Sequence, residues 1–264
     1  MRDTGPLNRI SAERSKQAPD GRGHAAAPER LQKILSAHGD WSRREADVMI
    51  RDGRVSVNGT TAEIGQSAVY GSDEIMVDKV PLKPDDGLHY IMLNKPRGYV
   101  TTMRDDKGRL TVKDLVSGVG ARVYPVGRLD YDSSGLLLMT NDGQFANTVA
   151  HPSNGYIKTY ETRVRGDVSG IEEKLRRPME IDSHIVKAVS ARLISMTAGG
   201  GLLRISINEG RNRQIRKMLA KCGLDVVSLK RVSVGALKLG PLKTGNWRRL
   251  TEAEVDMFRV RCKK

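Results

Sequence analysis

The stretch Val126-Gly127-Arg128-Leu129-Asp130-Tyr131-Asp132-Ser133-Ser134-Gly135, running on into Leu136-Leu137-Leu138-Met139-Thr140, decides how most of this chain is read. Val123 to Leu129 has the composition of a strand, and Leu136 to Thr140 reads as a buried one. Between them lies a polar turn with two carboxylates. Asp130 is therefore expected at the end of a strand, entering a loop, where reactive groups are often carried. On spacing alone, an Asx-type turn with Asp130 or Asp132 bonding nearby amides is the favoured reading of either residue.

Working outward, strands are expected at His89 to Leu93, Lys158 to Arg165, Leu202 to Ile207 and Val226 to Val234. Helices are expected at Gln144 to Ala150, Ile171 to Arg176 and Arg213 to Cys222. Strands and helices do not alternate one for one, which points to an α+β domain with a mixed or antiparallel sheet and flanking helices. Pro81 to Gly87 is polar, with two prolines and two aspartates, and reads as a linker. Ahead of it lies a small helix-helix-hairpin unit. Leu31, Ile34, Leu35 and His38 follow helical spacing, and Ser42-Arg43-Arg44-Glu45 has the form of a capping box. Ala46, Met49 and Ile50 mark a second buried face, and Asn58-Gly59 is a hairpin turn between Val55-Val57 and Ala62-Ile64. The expected organisation is a disordered tail at 1–28, a small module at 29–80, a linker at 81–88 and a larger domain at 89–264.

The chain has 264 residues, with 45 Lys and Arg against 31 Asp and Glu, a formal charge of +14. Such a surplus favours a polyanionic partner. The longest aliphatic run, Leu136 to Met139, is far too short to span a membrane, which leaves nucleic acid. Aromatic residues make up 4% of the chain, so charge and shape readout is favoured over base stacking. Cys222 and Cys262 suggest neither a disulfide framework nor a metal site, and the N-terminus lacks an apolar signal core. A reducing, cytoplasmic setting is expected. The five histidines lack ligand spacing, and no glycine-rich phosphate loop or Ser or Cys nucleophile motif stands out. No metal or cofactor is expected, and a carboxylate is the best remaining covalent catalyst.

Two basic regions accompany it. In the small module Arg30, Lys33, Arg43, Arg44, Arg51 and Arg54 lie among acidic residues, which on charge alone is an ordinary solvated surface. The segment Arg204 to Arg231 holds eight Lys or Arg against Glu209 and Asp225. There Ile215, Met218, Leu219 and Cys222 form an apolar stripe, with Arg213, Lys217 and Lys221 opposite as a solvated face or a phosphate rail. Arg216 falls at the border between the faces, where an Arg is more often a structural ion-pair partner than a catalytic one.

Taken in order, several segments resemble one family. They are Arg30-Leu31-Gln32-Lys33, Ser42 to Ala46 and Gly53 to Gly59, then Leu93-Asn94-Lys95-Pro96-Arg97-Gly98, Pro125 to Asp130 and Ser134 to Leu138. Thr140 to Gly143, Lys158-Thr159-Tyr160 and Glu209 to Met218 complete the set. Over residues 29 to 255 the chain is similar to the ribosomal RNA pseudouridine synthases that carry an N-terminal S4 RNA-binding domain, the large-subunit (23S) branch being the nearest in pattern. The resemblance implies a site-specific isomerisation of uridine without a cofactor. It implies Asp130 as nucleophile, acting at C1′, on the sugar to give a glycal, or at C6 of the base. Tyr160 would pack against the target base, Arg216 would pair with the aspartate and lower its pKa, and Arg128 would fill the space left by a flipped nucleotide. The S4 cations, Lys95, Arg97, Arg211, Arg213, Lys217 and Lys221 would contact RNA. The expected partner is ribosomal RNA and the expected state a monomer. Two other classes compete: a non-enzymatic RNA-binding or ribosome-assembly factor, and a carbohydrate hydrolase using Asp130 and Asp132. The charge and the S4 pattern do not suit the second.

Overall fold

The computed structural model describes residues 27–82 and 87–259. The first 26 residues of the expected tail, the middle of the expected linker and residues 260–264 lie outside the described residues.

The small unit runs β1 (Glu29–Arg30), α1 (Leu31–His38), α2 (Arg43–Arg51), β2 (Val55–Val57), β3 (Thr60–Thr61), β4 (Ser67–Ala68), β5 (Ile75–Val77) and β6 (Val80–Pro81). Its local signals act as the sequence suggests. The Ser42 hydroxyl accepts from the Glu45 amide at 3.2 Å while the Glu45 carboxylate accepts from the Ser42 amide at 2.7 Å. Together they satisfy two amides that the first turn of α2 leaves open. Asn58 and Gly59 both take positive φ, 52° and 78°, which turns β2 back into β3. Leu31, Ile34, Leu35, Ala46, Met49 and Ile50 close one apolar core with Val55, Val57, Ile75 and Val77. Ile64 does not continue the hairpin's buried face; it is exposed.

The larger unit runs β7 (Tyr90–Lys95), α3 (Val112–Leu115), β8 (Tyr124–Pro125), β9 (Ser134–Thr140), α4 (Gly143–Ala150), β10 (Lys158–Arg165), α5 (Ile171–Arg176), β11 (Met179–Ile181) and β12 (His184–Val186). It continues through β13 (Ser190–Thr197), β14 (Gly200–Ile207), α6 (Gln214–Lys221), β15 (Asp225–Val234), β16 (Leu237–Lys238), β17 (Trp247–Arg249) and α7 (Glu252–Arg259). One nine-stranded sheet carries the order β13-β14-β10-β15-β9-β7-β17, with β16 on β15 and β8 on β9. Neighbours are antiparallel except β15 and β9, which pair in parallel, so the sheet is mixed and the fold α+β. Two apolar cores lie on it. One packs Leu137, Met139, Ile205, Met218 and Leu219; the other packs Leu136, Leu138, Phe145 and Phe258. The central strand β9 is buried on both faces, which is why its sequence is a continuous apolar run rather than an alternating one.

The expected strand from Val123 to Leu129 is cut short. Only Tyr124–Pro125 pairs with β9. The Val126 amide still reaches the Leu138 carbonyl at 2.8 Å, and Gly127 then takes φ +72°, so the chain leaves the sheet before Asp130. The edge strand β13 and the hairpin β11–β12 carried no clear signal. Most of β13 is exposed, so its residues do not show the alternation that marks a half-buried strand. No helix among the described residues is long and apolar enough to cross a membrane.

Candidate active site

The turn bearing Asp130 is held from beneath. Lys95 ends β7 with 0% of its surface exposed. Its ammonium donates to the carbonyls of Pro96 (3.1 Å), Asp130 (3.1 Å) and Ser133 (3.0 Å). Thr101 Oγ1 donates to the Leu129 carbonyl at 2.6 Å and accepts from the Leu129 amide at 3.3 Å. The Gly98 amide reaches the Tyr131 carbonyl at 2.8 Å, and the Ser133 amide closes the turn on the Asp130 carbonyl at 3.0 Å. Backbone groups on both sides of Asp130 are thus fixed, while its half-buried carboxylate has no hydrogen-bond or ion-pair partner among the described residues. This is not an Asx turn at Asp130, whose carboxylate is left free for other chemistry.

Lys95 is a correction to the sequence reading. It does not contact RNA, because it is wholly buried beneath the turn. Burial pushes its pKa down from 10.5 to about 8, against the opposing pull of Asp130 and Asp132.

The expected pairing of Arg216 is a second correction. Arg216 does turn inward, with 12% of its side chain exposed, but its ion pair is with Asp132 at 3.2 Å. Arg216 Nη2 also donates to the Asp132 carbonyl at 3.0 Å. Arg213 grips the same carboxylate with both terminal nitrogens, at 3.0 and 3.1 Å. Burial raises the Asp132 pKa, but the Arg213 hydrogen bond and the two guanidinium charges outweigh it and hold the carboxyl below its usual range. Arg213 takes φ +51° as the residue that enters α6, a conformation rare for a non-glycine residue. The fork on Asp132 fixes it there.

A cleft of about 300 Å³ opens beside this turn, lined by Arg128, Asp130, Lys158, Tyr160, Arg213 and Arg231 among others. Arg128 is exposed at its mouth and forms no ion pair among the described residues. Tyr160 is 7% exposed in β10, where the register sets it beside Ile205 of β14 and Arg231 of β15. Arg231 is 4% exposed, and its Nε donates to the Leu136 carbonyl at 2.7 Å. Arg211 also lines the cleft and pairs with Glu209 at 3.0 Å. The structure therefore brings Asp130, Tyr160, Arg128, Arg211 and Arg213 to one cleft and sets Arg216 just behind it.

The other candidate cations lie elsewhere. Arg97 is exposed and reaches the Val227 carbonyl at 3.4 Å. Lys217 pairs with Asp182, and Lys221 donates to the Glu180 carbonyl at 2.9 Å, so both are tied to the hairpin β11–β12. In the small unit Lys33 pairs with Glu29, Arg30 donates to the Gly65 carbonyl, and Arg54 forks onto Asp78 at 2.8 and 2.5 Å. Arg43, Arg44 and Arg51 are exposed and form no ion pair among the described residues. The sequence reading passed over Asp132 as the anchor of two arginines, and over Lys158 and Arg231 as cleft residues. For Lys158 a signal was present: two residues before Tyr160 on one strand, it shares that residue's face.

A free carboxylate on a rigid turn, a lining tyrosine and several cations are groups that could serve covalent chemistry on an anionic substrate. Comparison with known proteins agrees. Residues 89–221 match the model of the RNA pseudouridylate synthase family, and residues 29–75 match the S4 domain. The large-subunit pseudouridine synthase B of Bacillus subtilis is 41% identical over 236 residues, which span 88% of this chain and 96% of that protein. The protein of the same name from Vibrio cholerae is 37% identical, over 88% of this chain and 74% of its own. A crystal structure of a pseudouridylate synthase superposes with a TM-score of 0.59 at 27% identity, covering 87% of this chain and 99% of that one. The chain belongs to the RNA pseudouridylate synthase family and is a pseudouridine synthase with an N-terminal S4 domain.

Proposed function

We propose that this protein converts a uridine of 23S rRNA in the large ribosomal subunit to pseudouridine, acting as a monomer with Asp130 as nucleophile. The observation that carries the reading is the Asp130 turn: its backbone is pinned by Lys95, Gly98 and Thr101, while its carboxylate is left free in a cleft floored by Tyr160. The likeness to two large-subunit synthases over most of the chain supports the choice of rRNA.

The target uridine must leave its helix to reach the cleft, and exposed Arg128 stands at the mouth to fill the gap and hold phosphate. Tyr160 supports the extruded ring. The Asp130 carboxylate bonds to C1′ as the C1′–N1 bond breaks. The base turns, C5 bonds to C1′ and displaces the carboxylate, and one proton is exchanged from C5 to N1. No group donor is consumed. Asp132 holds Arg213 and Arg216 as a cationic wall behind the nucleophile, and Arg43, Arg44 and Arg51 of the S4 domain grip phosphates of the same RNA.

The test is pseudouridine mapping of 23S rRNA from cells lacking this protein, complemented with wild type or with Asp130→Asn. One position lost in the deletion, regained with wild type and not with Asp130→Asn, is the expected result. An unchanged map in every strain would remove the large-subunit assignment.

A further inference from the structure

We propose that Lys158 and Arg231 form a subsite that binds the carbonyl oxygens of the uracil ring and takes up its negative charge while the base is detached from the sugar. The inference rests on the reading of Asp130 as nucleophile and deepens it. Lys158 opens β10 and shares a face with Tyr160. Register sets Lys158 between Ile207 of β14 and Val234 of β15, and a register shift between Thr159 and Tyr160 brings Arg231 opposite the tyrosine. Lys158, Tyr160, Ile207, Arg231 and Val234 all line the cleft that holds Asp130. The floor thus offers a ring, two aliphatic side chains and two cations.

The cations have spare capacity. Lys158 is half-buried, and its ammonium has no hydrogen bond or ion pair among the described residues. Arg231 commits Nε to the Leu136 carbonyl at 2.7 Å and leaves both terminal nitrogens without a partner among the described residues. Glu209, whose charge acts on Lys158, is already engaged by Arg211 at 3.0 Å and Gln214 at 3.1 Å. Burial, and then the neighbouring Arg231 charge, push the Lys158 pKa down. Two like charges held together away from water are unfavourable without a partner. Among the described residues the Glu209 charge offsets them in part, and an electron-rich ligand would complete the pairing.

The reaction supplies one. When C1′–N1 breaks, its electron pair passes to the uracil, spread over N1 and the oxygens on C2 and C4. The Asp130 carboxylate takes the bond to C1′. When C5 later bonds C1′, the carboxylate leaves with its pair. The C5 proton goes to water and N1 takes one from water, so charge and atoms balance. Excess charge sits on the ring oxygens only between these events. Donors placed there bind the detached base more strongly than the substrate and accelerate the step rather than tighten RNA binding.

The experiment uses the full chain and a 23S rRNA fragment carrying the mapped uridine. Single-turnover rate, RNA Kd and Tm are measured for wild type, Lys158→Met, Lys158→Gln and Lys158→Arg. The expected result is a rate reduced about 100- to 1,000-fold in the Met and Gln variants with Kd changed less than about threefold, and a partial recovery in Lys158→Arg. Should Lys158→Met fail to fold, the Gln and Arg variants carry the same comparison. A rate within about threefold of wild type in the folded variants would overturn the subsite, as would a loss of affinity matching the loss of rate, which would make Lys158 a phosphate contact. Wild type that converts no rRNA uridine would overturn the parent reading and the subsite together, whereas active wild type with unaffected Lys158 variants overturns the subsite alone.

Discussion

The S4 domain and the synthase cleft are both rich in cations but use them in opposite ways. In the S4 domain Arg43, Arg44 and Arg51 stand exposed without ion pairs among the described residues, while its core is closed by apolar residues, with Trp41 and Tyr70 packed against it. In the synthase domain Lys95 and Arg231 are buried, and Arg213 and Arg216 are drawn onto Asp132. Exposed cations can exchange water and salt for phosphate at small cost. Buried ones have been desolvated on folding and hold a fixed geometry, which suits catalysis rather than docking. Like residue types thus serve recognition in one region and architecture in the other, and burial separates the two roles.

The sharpest way to test that contrast is at its centre. Asp130→Asn keeps the turn's backbone contacts, because those run through carbonyls and amides, and is expected to reduce pseudouridine formation to background with Tm and RNA affinity preserved; a mass-spectrometric assay on rRNA reads it. Gly135→Ala attacks the architecture instead. An added Cβ would lie 2.2 Å from the Arg231 carbonyl oxygen, at a residue with φ +105°. A loss of about 3 kcal/mol or more in denaturant unfolding is expected, since backbone on both sides must shift.

Asp132→Asn removes the shared anchor and leaves the largely buried Arg216 charge without its partner. A stability loss of about 1–3 kcal/mol is expected, together with a lower turnover rate, measured by unfolding and single-turnover assay on the same preparation.

Lys95 gives a test in pH. Its folded pKa of about 8 lies below the ordinary 10.5. Between those values the unfolded chain binds more protons than the folded one, so this residue's contribution makes stability rise with pH. The stability of wild type relative to Lys95→Met is expected to improve from about pH 8 towards 10.5 and to be flat below that window. A difference that does not move across the window would mean the ammonium is not desolvated beneath the turn. The smallest effect is at the S4 surface. Arg44→Ala is expected to leave Tm and the single-turnover rate of saturated enzyme unchanged while lowering the slope of log affinity against log salt by about 1, provided Arg44 neutralises one phosphate.

Much of this was legible beforehand. The capping box at Ser42, the Asn58-Gly59 turn and the apolar stripe of α6 are set by residues adjacent or a turn apart, and local geometry suffices to read them. The order of the segments around Lys95, Asp130, Tyr160 and Arg216 carried the family. The tertiary structure decided which of these charges meet. Arg213 and Arg216 lie 81 and 84 residues from Asp132, Lys95 lies 35 from Asp130, and Arg231 meets Tyr160 only through strand register. A sequence fixes residue type and local period. Whether a lysine faces RNA or three carbonyls depends on which strands lie over it, and that is set by long-range packing.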